Sequence, residues 1–122
     1  VGKAILSELP PHEVEAIISR VGLPPVTEYT TTDFARLCAV LDQTRERGYS
    51  IDNQENEVRN YCVGAAIHDG SGQVIGACSV AGTDPEIIGA RVTELSENIR
   101  RTALMISRNM GYVPARLNHA RL

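Results

Sequence analysis

Tryptophan is absent from this chain and phenylalanine occurs once; with four tyrosines, aromatics make up 4% of the residues. A core with so few large rings has to be aliphatic, assembled from Ile, Val, Leu and Ala. Cysteine is scarce as well. Cys38, Cys62 and Cys78 are odd in number, form no C-x-x-C pair and follow no secretory signal, so free thiols in a reducing cytosol are expected. His12, His68 and His119 do not stand at metal-ligand spacings, which argues against a structural zinc site and leaves no metal or cofactor expected. No apolar run is long enough to cross a bilayer, so no membrane partner is expected. Positive charge is short too: 12 Lys and Arg against 15 Asp and Glu give a net charge of -3. The one basic cluster (Arg100, Arg101, Arg108, Arg116, Arg121) reads as a solvated helix face and tail. Direct nucleic-acid binding needs a cationic face that displaces counterions from phosphate, and such a face is missing.

The 122 residues present suit one domain. Val14, Ile17, Ile18 and Val21 recur at helical spacing and predict a helix over His12–Val21, closed by Gly22. The proline-bearing segment 23–30 reads as an extended connector. A second helix is expected to start at Thr31 or Thr32 as cap, to carry Phe34, Leu37, Cys38 and Leu41 on one side, and to end at Gly48. Tyr49–Asp52 is a short strand candidate. A long helix then opens at Asp84 and Pro85 and runs through Ile88, Val92, Leu95, Ile99, Thr102, Ile106 and Met110 to Gly111. Short strands with flanking helices make an α+β domain, an antiparallel sheet with helices packed on it. Only about three strands are visible, near the lower limit for a stable sheet. The start at Val1, with Ala4–Leu6 reading as a helix under way, points the same way: earlier strands are expected to be missing. Residues 1–112 are assigned to the domain and 113–122 to a tail.

Residues 61–82 are the most patterned stretch, two strands joined by a tight turn. Gly70-Ser71 suits a type II′ turn and Asp69-Gly70 a type I′ turn. The first pairs Cys62 with Ser79, Gly64 with Ala77 and Ala66 with Ile75; the second slides the pairing by two, which leaves every side chain on its own face. One face then carries Asn60, Cys62, Gly64, Ala66, Ile75, Ala77, Ser79 and Ala81, nearly all small. The other carries Tyr61, Val63, Ala65, Ile67, Val74, Gly76, Cys78 and Val80, the bulk expected under the long helix. The small face admits two readings. It either leaves room for a ligand bounded by the Cys62 thiol and Ser79 hydroxyl, or lets a helix approach the sheet closely.

The segments Gly2–Leu6 (GKAIL), Arg45–Asp52 (RERGYSID), Tyr61–Gly82 and Ile106–Tyr112 (ISRNMGY), in that order, resemble the effector-binding domain of IclR-type bacterial transcription regulators. The resemblance covers Gly2 to Tyr112. It implies a GAF-like sensor domain, cytoplasmic, forming a homodimer or homotetramer, whose DNA contacts belong to an N-terminal winged helix-turn-helix that this sequence does not contain. It implies a small organic acid as effector: a 2-oxo acid, a sugar-derived acid or an aromatic acid. It also implies ligand contacts at Asp52, at Cys62 and at a Ser-x-Ser whose first Ser is Ser79 and whose second is Ala81 here, with the backbone amides of Gly2–Ala4 nearby; Gly64 and Ala77, from the small face itself, are the expected floor of the site. The family often has Gly before the hairpin and Arg beside the Cys, where this chain has Arg59 and Tyr61.

A catalytic Cys62 would need a base, and His68 lies six residues along the same strand, about 20 Å away. No paired carboxylates or phosphate loop accompany it, so no catalytic residue is assigned. The rival reading is an interaction or oligomerisation module without a small-molecule ligand, using the apolar stripe of the last helix.

Overall fold

The structure is a computed structural model that describes residues 1–114. The expected tail therefore falls almost wholly outside the described residues. In order, the elements are α1 (Gly2–Ser7), α2 (Pro11–Val21), α3 (Phe34–Arg47), β1 (Ser50–Asn53), β2 (Tyr61–His68), β3 (Val74–Gly82), a single 3₁₀ turn (Pro85–Ile88) and α4 (Val92–Asn109). The strands form one antiparallel sheet in the order β1-β2-β3. This is the expected α+β arrangement, with helices on both faces.

α4 covers the bulky face. Val63 and Ala65 of β2 pack with Leu95, Ile99 and Ala103, and Ile87 of the 3₁₀ turn closes one end. Tyr49, Tyr61, Ile67, Cys78 and Val80 border this aliphatic core. The opposite face lies under α1, whose Ala4 and Ser7 are buried. Behind α1, a second cluster of Val14, Leu37 and Leu41 joins α2 to α3, with Leu6 and Phe34 at its margin.

Helix boundaries follow local chemistry, with corrections. Pro11 occupies the first turn of α2, where its missing N–H costs nothing. The cap of α3 is Asp33, not Thr31 or Thr32: its carboxylate accepts from the Ala35 N–H at 3.1 Å. Thr31 is drawn away to the β1–β2 connector, described below. Gly48 ends α3 in the left-handed conformation, φ +85°.

The long helix expected from Asp84 is broken. Asp84 does cap, accepting from the Glu86 N–H at 2.9 Å, but only one turn follows before Gly89–Arg91 interrupts the helix. Ile87 rather than Ile88 fills the core position. Along α4 the buried side is Leu95, Ser96, Ile99, Ala103 and Ser107. Ile106 and Met110, expected on it, are 37% and 50% exposed. The helix turns its small residues towards the sheet, and Ser107 gives the reason. Its Oγ accepts from the His68 N–H at 2.9 Å and donates to the Ala103 carbonyl at 2.7 Å, serving a backbone donor at the end of β2. Ser107→Ala leaves that N–H without its acceptor and is expected to destabilise the fold by about 1–3 kcal/mol in urea titrations.

Neither expected two-residue turn joins β2 to β3. Residues 69–73 form the loop, organised by Asp69, whose Oδ1 accepts from the N–H groups of Ser71 (2.9 Å) and Gln73 (3.2 Å) and from the Ser71 hydroxyl (2.6 Å). The bond from the Ser71 hydroxyl is the main reason the Asp69 carboxyl is held below its usual range. A bulge at Ile67/His68 absorbs the odd residue. Beyond it Cys62 faces Ala81 and Gly64 faces Ser79, two residues from the Gly70-Ser71 register, so the expected faces are kept.

Candidate ligand-binding face of the sheet

Strand pairing extends the small face into β1. Asp52 is opposite Cys62 and Cys62 opposite Ala81; in the next row stand Ser50, Gly64 and Ser79, and then Ala66 with Ala77. All six residues named from the sequence (Asp52, Cys62, Gly64, Ala77, Ser79, Ala81) therefore share one face. Neighbouring strands are about 4.8 Å apart, so the row from Asp52 to Ala81 spans about 10 Å.

The face divides into a packed part and an open part. Cys62 is 6% exposed, and Gly64 is buried. A Cβ at Gly64 would lie 2.9 Å from Ser50 Oγ and 3.4 Å from the Cys78 carbonyl, so any side chain here would have to displace buried Ser50. Here close packing accounts for the small residues. At β3 the face opens: Ser79 and Ala81 are exposed and Ala77 is half-buried. Asp52, half-buried, uses Oδ1 to accept the Glu55 N–H at 3.0 Å.

Ser50 belongs to this face and was not singled out from the sequence. Alternation carried the signal: Tyr49 packs towards α4, which turns Ser50 and Asp52 together to the other side. Lys3 is no solvated side chain. Its Nζ donates to the Ile51 carbonyl at 2.9 Å and pairs with Glu55. Arg59 holds φ +67°, a left-handed conformation that glycine adopts without strain, while its side chain stays exposed. Tyr61 points to the core side, away from Cys62.

Cys62 and His68 stand near opposite ends of β2. His68 has Nε2 at 2.9 Å from Glu8 Oε1 and stacks on Tyr112 with ring centroids 4.7 Å apart. Cys78 lies on the core side, where burial pushes its thiol up. Among the described residues, no group of three His, Cys, Asp or Glu could hold a metal ion, and no helix is long and apolar enough to cross a membrane. A polar cleft of about 530 Å³ lies beyond the end of β1, between Lys3, Tyr29–Asp33, Arg36, Asn53 and Glu55; none of the six face residues lines it. The negative charge of Glu28 beside that cleft raises the Tyr29 phenol.

The family model of the bacterial transcriptional regulator IclR C-terminal region matches residues 1–108. This chain belongs to the IclR family. Among curated proteins, it is 36% identical over 110 residues to the HTH-type transcriptional repressor AllR of Escherichia coli K12, an alignment covering 90% of this chain and 41% of AllR. The chain thus spans well under half the length of that relative. Among solved structures, Thermotoga maritima IclR superposes with TM-score 0.86 at 35% identity, over 91% of this chain and 45% of the other. The inducer-binding domain of Acinetobacter PobR, a double mutant in complex with 3-hydroxybenzoic acid, superposes with TM-score 0.70 at 25% identity, over 83% of this chain and 60% of that one.

Proposed function

We propose that this IclR-family domain is a cytoplasmic sensor for a small organic acid, bound over the Asp52–Cys62–Ala81 row and the adjoining Ser79. The observation that carries this reading is the strand register. It puts an acceptor carboxylate, a thiol and a hydroxyl on one face that is buried at Cys62 and exposed at Ser79 and Ala81. The PobR domain, similar in fold, is a relative solved with an aromatic hydroxy acid.

The chemistry narrows the ligand. A carboxylate at Asp52 only accepts hydrogen bonds, so it repels the ligand's own carboxylate and favours a hydroxyl. Ser79 can donate to the carboxylate, helped by the amides of Gly2–Ala4, which precede the first intrahelical bond of α1. Ala81 supplies no second hydroxyl. A hydroxy acid, or a 2-oxo acid in its hydrated diol form, fits this set better than an unhydrated oxo acid. Occupancy would favour one arrangement of subunits in a homodimer or homotetramer, and with it the spacing of N-terminal winged helix-turn-helix domains on DNA.

A thermal-shift screen of the protein against 2-oxo, sugar-derived and aromatic acids tests this. At a hundredfold excess over Kd a ligand adds about 2.7 kcal/mol of stability. A hydroxylated acid is expected to raise Tm and to lose its effect in Ser79→Ala. A folded protein that no acid stabilises would sink the proposal. That result would favour an interaction module, for which α4 and the residue that caps it offer Met105, Ile106 and Met110, 59%, 37% and 50% exposed.

A further inference from the structure

Glu55 stands where four segments meet. Its N–H donates to Asp52 Oδ1 at 3.0 Å, and its carbonyl accepts from Thr30 Oγ1 at 2.5 Å. Its carboxylate takes Lys3 Nζ on one oxygen and Thr31 Oγ1, at 3.2 Å, on the other. The second acceptor of Lys3 is the carbonyl of Ile51, the residue before Asp52. One position earlier, the Gln54 carbonyl accepts from Thr27 Oγ1 at 2.7 Å. Two of these threonine hydroxyls also serve their own segment. Thr30 Oγ1 accepts from the Thr27 N–H at 2.9 Å and Thr27 Oγ1 from the Tyr29 N–H at 3.0 Å.

The Lys3–Glu55 pair differs from the other Lys or Arg ion pairs of the described residues. Its side chains are 18% and 17% exposed, against 46% and 73% for Arg45–Asp42 and 51% and 68% for Arg91–Glu94. Exposed pairs of the latter kind contribute little, because water and salt screen them. A partly desolvated pair with its remaining bonds filled is far more sensitive to loss of one partner.

We propose that Glu55 is a positioning residue. It fixes the Asp52 carboxylate and binds two other parts, the first turn of α1 and the Thr27–Thr31 segment, to the same anchor. The helix α1 packs on the acid-binding face and the Thr27–Thr31 segment borders its β1 edge, so a change at Asp52 is transmitted to α1 and to that segment as one unit. The inference rests on the acid-site reading for its role in sensing; the mechanical tie itself is tested without any ligand.

The test is amide hydrogen exchange, residue by residue, in the wild type, Lys3→Met, Glu55→Gln and Lys3→Arg. Lys3→Met and Glu55→Gln are expected to speed exchange at Glu55 and across Thr27–Thr31 at least tenfold, with Val63 and Ala65 unchanged. Lys3→Arg, which keeps the charge, restores wild-type protection. Unchanged exchange at Glu55 and Thr27–Thr31 in both variants overturns the tie. So does a uniform acceleration that includes Val63 and Ala65, since it would mark a general stability contribution. An acid screen without a hit, beside the local acceleration, counts against the site and not against the tie.

Discussion

Ala81→Leu is expected to weaken acid binding at least about a hundredfold, equivalent to about 2.7 kcal/mol, while leaving the fold intact. Ala81 is exposed, ends the row that begins at Asp52, and lies opposite Cys62. A leucine there adds three carbons at the exposed position of the row, beside half-buried Asp52 and buried Cys62. Substitutions at exposed strand positions usually change stability by no more than about 0.5 kcal/mol, and leucine is tolerated in strands. Titration calorimetry with the acid found by screening, beside a urea melt, separates the two effects. Wild-type affinity in the variant would remove Ala81 from the site.

Ile99→Ala carries the largest expected loss of stability. Ile99 is buried at the centre of the α4–sheet core, among Val63, Ala65, Leu95 and Ala103. Truncations of this kind cost about 2–5 kcal/mol, which for a domain of this size lowers Tm by roughly 10–20 °C. Ile106→Ala, on the same helix, is expected to change stability by under about 0.5 kcal/mol because its side chain faces outwards. The pair fixes the rotation of α4. Equal losses would restore the stripe read from the sequence.

That stripe shows where sequence reading stops. Steps of three and four identify a helix, yet Ile99 can be followed on its face by Thr102 and Ile106 or by Ala103 and Ser107. The second set is chosen by the partly buried His68 N–H, 39 positions away in sequence from its acceptor. The break at Gly89–Arg91 escaped for a similar reason: Ile87 and Ile88 both suit a helix, and packing of the 3₁₀ turn decides which is buried. The hairpin was more legible. Its loop and register differ from expectation, but strand side chains alternate with period two and the slide was by two, so the small face survived. Asp52 was named only through the family resemblance, and the β1–β2 register places it on that face, opposite Cys62. The Glu55 anchor left no local trace, because its partners Lys3, Thr30 and Thr31 lie 24 to 52 residues away.

Chemical-shift mapping tests the proposed sensor most directly. The acid with the greatest thermal effect is titrated into the isotope-labelled protein, and the amide resonances are followed. The expected result is saturable shifts concentrated at Asp52, Cys62, Ser79 and Ala81 and in the Gly2–Ala4 turn, absent in Ala81→Leu. Shifts confined to the cleft around Arg36 and Asn53, or to α4 around Met105 and Ile106, would contradict it.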